Sequence, residues 1–147
     1  MAKTTRDTII TIETGIQYEA VAHAALTPGH LVELLATGKV QKQATAGADC
    51  EIAVAIEDYL QGRTIADEYA ADDRVLYRVF PKGAQILLVL ADGENIVVGD
   101  KLTPATGGEV KAVDSTDTRV KFIAMEAVNA SAGSVPVAQR RVVGRVL

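Results

Sequence analysis

The chain has 147 residues, a net charge of −4 and 48% hydrophobic residues. That length fits one domain, and that apolar share is enough to build a core, which excludes wholesale disorder. An acidic total argues against phosphate-driven nucleic-acid binding, which needs a basic footprint. Aromatics make up 4% of the chain and Trp is absent, so the core is one of Ala, Val, Ile and Leu, suited to thin β-layers. The charge is uneven. Eleven acidic residues face four basic ones between Gln43 and Asp100, whereas Arg119, Lys121, Arg140, Arg141 and Arg145 face only Glu126 at the C-terminal end. Such a gradient can complement a partner or a neighbouring copy, or be two ordinary solvated faces. The single cysteine, Cys50, reads as a small core hydrophobe. Met1–Arg6 is polar, with no apolar stretch of a secretion signal behind it, and the longest apolar run, Ile86–Ala91, is too short to span a bilayer. The expectation is a chain made and used in solution.

In chain order, Met1–Thr14 is rich in Thr and charge. Within it Thr8, Ile9, Ile10, Thr11 and Ile12 have strand composition without a nearby partner, so 1–14 is expected as an extended arm pairing with something distant. Its deletion is expected to leave a folded protein. The segment 15–147 is expected as a single β-rich domain. Gly15–Ala25 reads as strand or loop, and Thr27-Pro28-Gly29 as a turn. His30–Leu35 and Val40–Gln43 form a hairpin about Ala36–Lys39. Ala44–Asp49 is a loop and Ile52–Ile56 a strand. Thr64-Ile65-Ala66-Asp67 resembles a capping box, which predicts two helical turns over Ile65–Ala71. Arg74–Phe80 and Ile86–Leu90 are strands about the Pro81-Lys82-Gly83 turn, and Val137–Leu147 is the last strand.

One stretch echoes another. Gly29-His30-Leu31 through Lys39-Val40-Gln41-Lys42 resembles Gly99-Asp100-Lys101-Leu102 through Glu109-Val110-Lys111. Each places a Gly eleven residues before a Val, with a Thr-Gly turn between, and each precedes a strand ending in an acid, at Glu57 and Glu126. This weak repeat of about seventy residues is too short for a solenoid and predicts two related β-modules packed as one barrel or sandwich. Nine to twelve short strands with frequent turns are the signature of an all-β fold.

Signatures of catalysis are missing. There is no GxSxG, and Ser115, Ser131 and Ser134 sit in turn-like segments. His23 and His30 lack telling neighbours and read as structural. Three Cys and His residues make a poor zinc set. The acid pairs Glu57-Asp58, Asp67-Glu68 and Asp72-Asp73 lack the alternating order of a calcium loop and read as solvated charge. A carboxylate pair set for glycoside hydrolysis stays open on these residues, although aromatic sugar platforms are scarce. Gly38-Lys39 and Gly107-Gly108 lack phosphate-loop spacing. The expectation is a non-enzyme without catalytic residues, metal or cofactor.

Several segments together resemble the head decoration (capsid cement) proteins of tailed bacteriophages. Asp73–Leu90 is similar to their basic strand, Lys/Arg-Gly turn and apolar strand. Gly93–Leu102 is similar to the G-x-x-I-x-x-G-D-x-L stretch that follows. Ala124–Asn129 through Pro136-Val137 resembles the closing segment, and Thr27–Ile56 has the layout of the lambda-type members. The resemblance implies a compact β-tulip-like barrel or sandwich with an extended N-terminal arm and at most one short helix. It implies a homotrimer on the outer surface of the virion that binds the major capsid protein and clamps capsomers against DNA pressure. It makes Thr8–Ile12 the candidate capsid contact, by strand addition; Arg140, Arg141 and Arg145 are secondary candidates, with neither nucleic acid nor membrane as partner. The alternatives are a head fibre base, a tail or baseplate subunit, or a β-barrel module for a small ligand or glycan.

Overall fold

The computed structural model describes residues 8–47, 50–117 and 119–147. The described residues form thirteen strands in antiparallel sheets, with three single 3-10 turns and no α-helix. The strands are β1 (Ile10–Ile12), β2 (Ile16–Val21), β3 (Val32–Leu34), β4 (Val40–Lys42), β5 (Ala53–Ala55), β6 (Arg74–Val79), β7 (Gln85–Val89), β8 (Asn95–Ile96), β9 (Lys101–Pro104), β10 (Val110–Ala112), β11 (Phe122–Ala124), β12 (Val128–Asn129) and β13 (Arg141–Val146). Branched residues supply most of their inward positions, as pleated, half-buried surfaces favour.

The ladders form two small rings. In the C-terminal half the order is β7-β13-β11-β9-β10. β10 then returns to the end of β7, where Ala91 N–H donates to the Val110 carbonyl at 2.7 Å. In the N-terminal half β2-β6-β5 is one sheet. Leu31, just before β3, bridges Val54 of β5, and Ala22, just after β2, bridges Val40 of β4. Strand by strand the two orders correspond.

The turns correspond as well. Gly29 N–H donates to Ala55 O, as Gly99 N–H does to Ala124 O, both at 2.8 Å. Leu35 N–H donates to Lys39 O, as Ala105 N–H does to Glu109 O, again both at 2.8 Å. Even the side chains match. His30 Nδ1 accepts the Thr27 N–H at 3.1 Å, and Asp100 Oδ2 accepts the Val97 N–H at 2.9 Å.

β6 separates two cores. Val75 and Tyr77 point into the N-terminal ring with Ala22, Leu26, Val32, Val40, Ala53 and Ala55. Leu76, on the opposite face, joins the larger core with Leu31, Val54, Ile86, Leu88, Phe122 and Val142. Strict alternation of one buried and one solvated face therefore fails here, because both faces of the strand are covered.

The helix expected over Ile65–Ala71 does not form. Asp67 Oδ2 does accept the Thr64 N–H, at 2.7 Å, but the bond closes a turn. Two residues on, Tyr69 exchanges backbone hydrogen bonds with Leu26 and donates its hydroxyl to Ile56 O at 2.7 Å. Burying that ring, at about 1.5–3 kcal/mol for a large side chain, holds the segment extended.

Candidate interaction surfaces

Residues 1–7 of the expected arm lie outside the described residues. Thr8–Ile12 is drawn onto the domain. Ile9 is fully buried in the larger core. Its carbonyl accepts the Leu87 N–H at 2.8 Å, and its own N–H donates to Glu57 Oε2 at 3.2 Å. β1 pairs with β7, Ile10 opposite Ile86, and is the end strand of the six-stranded sheet. One edge of Thr8–Ile12 is thus used within the chain, while the other has no ladder among the described residues. Deleting 1–14 would remove a core isoleucine.

The three arginines separate. Arg141 is buried, and its guanidinium donates to Pro28 O at 2.7 Å and to Ile65 O at 2.9 Å. Burial lowers its pKa to about 10, against the opposing pull of the Glu57 carboxylate, so it stays charged at neutral pH. Its Nη1 would lie 2.5 Å from a Cβ placed on Gly29, where φ is +99°, so only glycine fits that turn. Arg140 donates to Val135 O and Leu90 O and pairs with Glu109 at 2.9 Å. Both arginines bind the protein's own carbonyls. A lone arginine in a strand pattern carries no signal for such carbonyls, because they come from loops distant in sequence. Of the three, only the Arg145 side chain makes no hydrogen bond or ion pair with a described residue. It lies beside Ile123 and, beyond it, Lys101 on adjacent strands.

The titratable residues do not converge on a reaction centre. His30 is buried, and desolvation, with the Lys42 and Arg141 charges adding to it, lowers its pKa to about 3. It is a neutral acceptor in a turn. Asp72 pairs with Lys39 at 2.7 Å, and that bond holds its carboxyl below the usual range. Asp73 Oδ2 accepts the Ala70 N–H, and Asp58 lies 3.9 Å from Arg74. Among the described residues no group of three or more His, Cys, Asp or Glu is placed to hold a metal ion, and no helix is long and apolar enough to cross a membrane.

An open apolar region remains, which the sequence pattern did not reveal. β2 is an edge strand, and Ile16 and Tyr18 on it are 63% and 47% exposed. Tyr18 stacks on Tyr77, ring centroids 5.7 Å apart. On β3 of the same ring Leu34 is 63% exposed and lines a depression of about 280 Å³ with Val32, Glu33, Gln43, Cys50 and Glu51. Cys50 is half-buried there. The alternation Ile16-Gln17-Tyr18 marks a strand with an apolar face; nothing local tells that this face is left uncovered.

No protein-family model matches the chain, and no curated protein matches it. Its structure is similar to that of the head fibre gp8.5 N base of bacteriophage phi29. The similarity has a TM-score of 0.58 at 15% sequence identity, and covers 90% of this chain and 93% of that one. At that identity the likeness shows a shared all-β fold.

Proposed function

We propose that this chain is a structural protein of a phage head, a decoration protein that binds the major capsid protein on the outer surface of the virion as a homotrimer. The observation that carries the reading is the near end-to-end likeness to a phage head fibre base, in a chain whose own segments resemble decoration proteins. The outer edge of Thr8–Ile12, which no described strand covers, supports strand addition to the shell, since an unpaired edge offers a ready row of main-chain donors and acceptors. Ile9 anchors that strand from below, which leaves Ile12, 54% exposed, as the side chain to meet the partner.

The test is co-sedimentation of the purified protein with mature heads of the phage that encodes it. Wild type pellets with heads, and Ile12→Asp, which changes an exposed side chain, stays in the supernatant. Wild type left in the supernatant would contradict the reading. The likeness to a head fibre base favours a second reading, that this chain is itself such a base. Electron cryo-microscopy of decorated heads separates the two: a fibre base carries fibre density above it, and a decoration protein does not.

A further inference from the structure

The two rings end differently. In the C-terminal ring the early edge of β7 is covered by β1, through Leu87 N–H to Ile9 O. The register places Tyr18 opposite Tyr77 where the other ring has Ile86 opposite Gly144, so Ile16–Ala20 is the counterpart of that covered edge. Among the described residues no strand covers it. Ile86 is fully buried, while Tyr18 is half exposed. Ile16 and Tyr18 are exposed there, and Glu51, whose charge acts on the Tyr77 that stacks against Tyr18, lines a depression with Glu33 and the exposed Leu34. A complementary surface lies on the other half. Lys101, Ile123 and Arg145 stand side by side across β9, β11 and β13, and neither cation is paired with a described residue.

We propose that these two surfaces are the two sides of one contact between copies of this chain. The acidic, part-apolar surface of one copy seats on the Lys101–Ile123–Arg145 row of the next. The contact joins unlike surfaces, so it repeats head to tail and closes as a ring when the rotation allows. Opposed acids and bases fix the register, while the apolar side chains and the free β2 edge supply buried area and main-chain bonds. The inference rests on the self-association in the reading above and not on capsid binding.

Light scattering after size-exclusion chromatography of the full chain tests it, over a dilution series. Wild type runs heavier than one chain, and added salt lowers that mass, because exposed charge pairs are screened. Glu33→Lys with Glu51→Lys drops the mass to one chain, and so does Lys101→Glu with Arg145→Glu. All four together restore it. Thermal unfolding of each variant checks that it folds; should one fail, the salt series on wild type still decides. Wild type at one chain throughout, a mass indifferent to salt, or folded half-swaps that keep the wild-type mass would overturn the contact. Co-sedimentation with heads is read separately, so a heavy, charge-dependent oligomer that ignores heads would sink the virion reading and leave this one standing.

Discussion

The N-terminal and C-terminal rings share a strand order and their turn chemistry, yet they spend their side chains differently. The C-terminal ring fills itself. Phe122 stands where the other ring has Ala53, Gly144 makes room beside Leu88, and β1 covers the open edge. The N-terminal ring puts Tyr77 in the place of Gly144, stacks Tyr18 on it, and leaves both Ile16 and Tyr18 in solvent. A duplicated scaffold thus gives one half that stabilises the molecule and one half with apolar surface to spare.

The largest expected effect is at the seam between the rings. Arg141→Ala leaves the Pro28 and Ile65 carbonyls and the Glu57 carboxylate without their cation, and should lower stability by about 3–5 kcal/mol in denaturant unfolding. Next comes the filled ring. A Cβ on Gly144 would lie 2.8 Å from Leu88 Cδ1 and 3.3 Å from Phe122 Cβ, so Gly144→Ala should cost about 1–3 kcal/mol by overpacking.

The matched turns give a sharper comparison. In the unfolded chain His30 takes up a proton near its ordinary value of 6.5, but in the folded chain it stays neutral down to about 3. Between those values the unfolded state binds more protons, so stability falls as pH drops, by up to about 1.4 kcal/mol per pH unit. His30→Asn keeps an acceptor for the Thr27 N–H and should remove that part of the slope between pH 6 and pH 4. An unchanged slope would mean that His30 is protonated in the fold. The smallest effect belongs to the open edge. Ile16→Ser should shift stability by no more than about 0.5 kcal/mol, as for an ordinary surface site, while reducing self-association.

Much of this architecture was legible in the sequence. β-branched runs and Gly-rich turns marked the strands from His30 to Leu90, and the echo between Gly29–Lys42 and Gly99–Lys111 falls on turns that make equivalent hydrogen bonds. Long-range burial was not legible. Ile9 and Arg141 look like surface material in their local context, and only the packing of distant loops brings Glu57, Pro28 and Ile65 to them. The helix over Ile65–Ala71 failed for the same reason, since Tyr69 answers to Leu26 and Ile56 rather than to its neighbours in sequence. The open edge was invisible because it depends on a covering strand that one half has and the other lacks.

Residue-resolved amide hydrogen exchange tests that difference most directly. By alternation from His23, whose N–H leaves β2 for Val40 O, the Glu19 amide points out of the same edge. In dilute, unassembled protein the Leu87 amide, bonded to Ile9 O, should exchange near the global unfolding limit, and the Glu19 amide close to the rate of an exposed one. On assembly Glu19 should become protected. A Glu19 amide as protected as Leu87 in the dilute single chain would contradict the account, because the edge would already be covered.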